Sequence, residues 1–194
     1  MEKTLTIDNK AVNFKATGGT LIKYREQFGC EYFNDALILK DYENKMLEAL
    51  QNKDLDTYKN LQIEYKELYS VIGYKLTWTM AKCANDTISD PVHWLKEFNS
   101  FPLTEEILPA VIGLFNKSMS SGDTQQEKSG KEEPLTSENF VACCLLCGLT
   151  MRDINEMSVG FLLNTIREHV QIKTGNSDSN TNTYSASQSD FDKF

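Results

Sequence analysis

The run NKSMSSGDTQQEKSGKEEP, residues 116–134, limits what this chain can fold into more than any other stretch. It holds Ser, Gly, Gln, Lys and Glu, no aromatic residue, and one large apolar side chain, Met119. Such a run buries too little apolar surface to offset the entropy of ordering it, which marks it as a flexible connector. Structureless loops of this length are uncommon inside a compact domain, so the run is expected to act as a hinge between two modules. An ordinary surface loop within one domain is the alternative. Four units are expected: a helical domain over residues 1–115 that opens with a β-hairpin, the flexible linker 116–134, an αα-hairpin extension over 135–173, and a disordered tail over 174–194. The fold class is mainly α.

A chain of 194 residues with 40% hydrophobic and 25% charged residues suits one ordinary domain with appendages. The formal charge of −8 disfavours a protein that neutralises a nucleic-acid backbone, which needs a basic patch. Acid exceeds base on both sides of residue 115, so neither part is a basic arm. No apolar run reaches the length of a membrane span, and the N-terminus lacks a signal-peptide core. A cytoplasmic protein is expected. The odd, clustered set Cys30, Cys83, Cys143, Cys144 and Cys147 suits free thiols in a reducing compartment.

Residues 4–15 alternate apolar and polar around Asp8-Asn9-Lys10, so Leu5, Ile7, Val12 and Phe14 should line one face of a hairpin. A lone hairpin is marginal in water and must pack on something or add strands from another subunit. Thr17 or Thr20 caps the first helix, and Gly29 suits its C-terminal end. Residues 35–39 suggest a helical turn and 41–52 a charged helix. Asp54 or Asp56 opens the next helix, whose apolar density from Leu61 to Ala84 marks it as the most buried, with Gly73 a kink or break. Ser89-Asp90-Pro91 restarts the chain in cap-then-proline order, and Pro102 ends that element. A helix then begins at Thr104 and fills with Ile107, Leu108, Val111 and Phe115. That makes about five helices before the connector. Beyond it come an apolar helix closed by Gly148, a second helix over residues 159–172, and a polar tail ending SDFDKF, whose Phe191 and Phe194 resemble a docking peptide.

No constellation of residues points to catalysis, a cofactor or a metal. Cys144 and Cys147 form C-x-x-C, but inside an apolar helix with no preceding strand, and only His93 and His169 exist to complete a metal site. Small packing residues at a close helix contact explain them better. No phosphate loop or nucleophile motif is present.

Taken in order, three stretches resemble the tail assembly chaperones of long-tailed bacteriophages and prophages of Gram-positive hosts. They are FKATGGTL at 14–21 with YREQFG at 24–29; LTWTMAK at 76–82 followed by Pro91, Trp94, Leu95, Phe98 and the ILP of 107–109; and GLTMRDI at 148–154 with SVGFLL at 158–163. The closing ASQSDFDKF of 186–194 is similar to the ends of such chains. Only the charged stretch 41–60 and the connector fall outside the likeness.

The resemblance implies a chaperone of virion assembly, in the host cytoplasm, that is absent from the finished tail. It would coat the tail tape measure protein and recruit the major tail tube protein, with no nucleic acid and no membrane as partners and a homo-oligomer conceivable. It also implies that residues to about 115 match a short product and that this chain is the form extended by ribosomal frameshifting. Recruitment would fall to Phe161, Leu162, Phe191 and Phe194. Tape measure contact would fall to the β-hairpin face or to Ile107, Leu108, Val111 and Phe115. A helical adaptor or regulatory module is the competing class, and a small redox enzyme using Cys144 and Cys147 a third.

Overall fold

A computed structural model describes residues 1–120 and 136–174. The described chain is mainly helical, with one N-terminal hairpin and eight α-helices. Strands β1 (Glu2–Ile7) and β2 (Lys10–Lys15) pair antiparallel, with Leu5 opposite Val12 and Ile7 opposite Lys10. Asp8 and Asn9 alone make the turn, both with positive φ (48° and 61°), a conformation that short Asx side chains tolerate and that matches strand twist. Ile7, Val12 and Phe14 are buried where β2 lies on helix α3, so the hairpin stands on its own chain. The Asp8 carboxylate pins the turn from outside by accepting from the Asn99 backbone N–H at 2.8 Å.

Helix α1 (Gly18–Phe28) starts at Thr17, whose N–H donates to Thr20 Oγ1 at 3.1 Å, and stops at Gly29, left-handed at φ 66°. Residues expected to form a turn and a separate charged helix are one element, α2 (Tyr32–Gln51), since nothing between Leu39 and Asp41 breaks a helix. Helix α3 (Leu55–Ala84) is capped by Asp54, which accepts from Thr57 N–H at 3.0 Å. It runs unbroken through Gly73. A β-carbon there would lie 2.5 Å from Leu108 Cδ2, so the glycine makes room for a neighbour and does not end the helix.

Only the second half of α3 is buried, from Ile72 to Ala81. Its first half and α2 pack chiefly on each other and form an arm, tied by Tyr42 donating to Glu64 at 3.0 Å and Tyr65 donating to Glu43 at 2.8 Å. Short α4 (Pro91–Leu95) begins at the Asp90 cap expected from sequence. Trp94 meets Tyr74, Phe98 and Phe101 in an aromatic cluster beside it. One π-helical turn, Leu103–Ile107, then leads into α5 (Leu108–Met119).

Helix α5 extends four residues past the expected start of the connector. Ser118 is the reason: it is fully buried, and its hydroxyl donates to the Ala16 carbonyl at 3.3 Å and accepts from Val159 N–H at 3.3 Å. Beyond residue 135 the chain forms three helices where an αα-hairpin was expected: α6 (Ser137–Leu146), α7 (Met151–Glu156) and α8 (Val159–Thr174). A reciprocal Thr150–Asp153 cap nucleates α7, and Met157 in extended conformation ends it. Thr174, expected to open the disordered tail, is the last residue of α8; the rest of that tail and the remainder of the expected linker lie outside the described residues.

These helices share one core with the N-terminal part. Phe140, Cys144, Ile154, Val159 and Leu162 are buried with Phe14, Leu21, Tyr24 and Phe115. Among the described residues no helix is long and apolar enough to cross a membrane.

Backbones approach closely along this joint. A β-carbon on Gly160 would sit 2.3 Å from the Met119 carbonyl oxygen, and one on Gly18 would sit 2.8 Å from that of Ile154. Alanine at Gly160 should therefore cost about 1–3 kcal/mol despite its better helix propensity. At Gly113 of α5, where a β-carbon meets nothing within 4 Å, alanine should instead stabilise by about 0.5–1 kcal/mol. Thermal melts of the two single variants will show opposite signs.

Candidate partner-binding surface

The residues expected to meet partners divide sharply. Ile107, Leu108, Val111 and Phe115 are at most 2% exposed, and Leu162 is fully buried. They lie in the chain's own core, where α5 packs on α3 and α8, so neither the residues expected to meet the tape measure nor Leu162 stands on an open surface. The same correction applies to the hairpin face, which α3 covers. Phe161, next to Leu162, is 49% exposed and remains available. Phe191 and Phe194 lie outside the described residues.

What the fold does present is a groove of about 480 Å³ between α1, α6 and α7. Ile22 of α1, Val141, Ala142 and Leu145 of α6, and Met151 of α7 give it an apolar lining. Leu145 and Met151 are each nearly half exposed, and Leu146 beside them is 74% exposed. The apolar surface therefore continues past the groove edge. Arg25, Glu26 and Glu138 form a charged rim.

The rim is held from beneath. Glu31 receives Arg25 at 2.9 Å on one carboxylate oxygen, and on the other accepts from the Ser137 hydroxyl at 2.6 Å and its N–H at 3.1 Å. The Ser137 hydroxyl also lies 3.3 Å from the Leu21 carbonyl, and Arg25 pairs with Glu138 as well. A carboxylate over the first N–H groups of α6 complements the positive end of that helix. One acid from the α1–α2 junction thus fixes where α6 begins and how it faces α1.

A second exposed strip runs along α8 through Phe161, Asn164, Thr165, Glu168, His169 and Ile172. The groove residues escaped the sequence reading because apolarity alone does not separate core from surface. A signal was present: residues 140–146 are apolar on more sides than one stripe, which leaves a surplus face once the core is filled.

Beneath α1 lies a polar cluster that does not reach this groove. Tyr24 donates to Asp35 Oδ2 at 2.6 Å, and Lys75 donates to the same oxygen at 3.2 Å and to Cys30 Sγ at 3.3 Å. Burial and the neighbouring Asp35 push the Tyr24 hydroxyl far above its ordinary pKa. Burial and Asp35 also raise the Cys30 thiol, with Lys75 opposing. For Lys75, burial disfavours the charge, but its bonds to Cys30 and Asp35 outweigh that and raise its pKa. The arrangement holds Tyr24 as a neutral donor and Lys75 as a cation, and so locks α1, α2 and α3 together.

The C-x-x-C pair lies in and just after α6. Cys144 is fully buried, and burial with the neighbouring Cys147 and Cys143 pushes its thiol up to about 11. A redox nucleophile needs the opposite shift. Among the described residues no group of side chains is arranged to hold a metal ion. Compared with known families, curated proteins and solved structures, the chain matches none.

Thiol labelling tests the burial directly. In the native protein at neutral pH, Cys144 should be the last of the five cysteines to react with a maleimide, as read by peptide mass spectrometry. Its rate should rise on unfolding, and in the folded protein should keep climbing with pH up to about 11, past the point where an ordinary thiol levels off.

Proposed function

We propose that this protein is an assembly chaperone that holds an apolar helical client, working as the tail assembly chaperones of long-tailed bacteriophages do. The client is a tape measure protein, the recruited partner a tail tube subunit, and the place of action the host cytoplasm. The observation that carries the reading is the apolar groove between α1, α6 and α7, open along Leu145 and Met151, with exposed Leu146 beside it, and edged with charge. An amphipathic helix binds such a groove by laying down apolar side chains one turn apart. A rim rich in carboxylates adds register without making the site a general aggregation surface. The order of the three sequence stretches supports the phage assignment, and the net charge of −8 supports a chaperone that stays dispersed at working concentration.

In this reading the chain is the extended product of a frameshifted gene. A short product ending near residue 115 would lack α6 to α8 and bare the side chains that pack on Phe140, Ile154 and Leu162. The extension thus both closes that face and builds the groove.

The test is co-purification of the full chain with the tape measure and tube proteins encoded beside it. A Leu145→Asp, Met151→Asp variant changes only exposed positions and should keep its helical circular dichroism. It should lose at least about tenfold in capture of one of the two proteins. Undiminished capture of both by the variant removes the groove from the mechanism. Capture of neither by the unaltered chain would favour a helical adaptor.

A further inference from the structure

Helix α2 packs one face on α3 and leaves four large apolar side chains exposed, Leu37, Ile38, Leu47 and Leu50. Leu39, Tyr42, Met46 and Ala49 turn toward α3 within the arm. A second face is the stripe Phe33, Ala36, Lys40, Glu43, Leu47 and Leu50, alternately three and four residues apart, the spacing of a helix-pairing seam. Leu47 is 55% exposed and Leu50 44%, while Lys40 and Glu43 are exposed and Phe33 and Ala36 half-buried. Leu47 and Leu50 are left open, whereas Phe33 at the other end packs partly against the core and Glu43 is held by Tyr65 of α3.

Its order reads the same from either end: two apolar residues, a charge, the opposite charge, two apolar residues. We infer that α2 is the interface of a two-fold homodimer, in which this stripe packs antiparallel on its copy. The two-fold axis passes between Asp41 and Tyr42. Phe33 then meets the partner's Leu50, Ala36 meets the partner's Leu47, and Lys40 meets the partner's Glu43, each contact occurring twice. The pairing matches small Ala36 with large Leu47 and places opposite charges together at the centre. A parallel pairing would set Lys40 against Lys40 and Glu43 against Glu43, so the charges select the antiparallel register. Within each subunit one oxygen of Glu43 is held by the Tyr65 hydroxyl at 2.8 Å, which orients the carboxylate and leaves its second oxygen for lysine.

A single helix pair is a small interface, so the dimer dissociates in the range of about 10–100 μM. Analytical ultracentrifugation of the full chain should show mass rising from 22.1 kDa toward twice that value with concentration. Leu47→Asp should abolish the rise with unchanged circular dichroism. Lys40→Glu and Glu43→Lys should each weaken association about tenfold, because each sets like charges opposite one another twice. Mixing these two single variants should restore association, since a stripe with acids at both central positions then faces a stripe with lysines at both. Wild-type protein that stays monomeric up to about 1 mM overturns the inference. So does a Leu47→Asp variant that associates normally, or a mixture of charge variants no stronger than either alone. None of these outcomes depends on the chaperone reading.

Discussion

The close approach of backbone to backbone at the joint between residues 1–120 and 136–174 is the constraint on which the rest of this structure depends. Gly18 and Gly19 let α7 settle on the start of α1, where Gly18 N–H donates to the Met157 carbonyl at 3.1 Å. Gly160 lets the start of α8 meet the end of α5, and the buried Ser118 hydroxyl links Ala16 to Val159 at the same place. A β-carbon at Gly18 or Gly160 would overlap a backbone carbonyl, so the elements could no longer close to this distance. The cavity left would deprive Ile154, Val159 and Leu162 of their burial. With the joint closed, Glu31 comes within reach of Ser137, and α6 is oriented so that its surplus apolar face opens beside Ile22.

Polar groups divide the work by burial. The hydrogen bonds of Tyr24 and Lys75 to Asp35 link separate helices, so the cluster specifies one arrangement of α1, α2 and α3 where apolar packing alone would tolerate several. On the arm, Tyr42 and Tyr65 reach across to carboxylates in water, where each such bond contributes little. The arm therefore stands mainly on one helix pair, and a two-helix layer of that kind gains from a further layer more than the compact part does.

Much of this fold could be read from local chemistry. The hairpin register follows from period-two alternation and an Asx turn, the ends of α1 from Thr17 and Gly29, and the start of α3 from Asp54. Those signals lie within a few residues of the feature they specify. What escaped lies in contacts between distant segments. Gly73 reads as a break in one dimension but in three dimensions makes space for Leu108, which comes 35 positions later. Asn116 to Met119 read as linker because their polarity gives no sign that Ser118 is buried between two backbones. For the candidate surface the failure has the same origin. Ile107, Leu108, Val111, Phe115 and Leu162 are as apolar as Leu145 and Leu146, and only the fold decides which face is already covered. Phe161 and Leu162 make the point at adjacent positions, one half exposed and the other fully buried.

The groove and the α2 stripe have no residue in common, so a client in one leaves the other free. Under the chaperone reading this separation has a consequence for binding strength. A long helical client offers the same apolar chemistry many times along its length, and a dimer offers two grooves to it. Once one groove is engaged, the second meets the client at an effective concentration set by their spacing and not by bulk protein. A weak groove and a weak dimer then suffice together for firm coating, while each subunit alone lets go easily. A protein that must cover a client and later leave it needs both properties, and two independent, modest apolar surfaces supply them where one large surface would not.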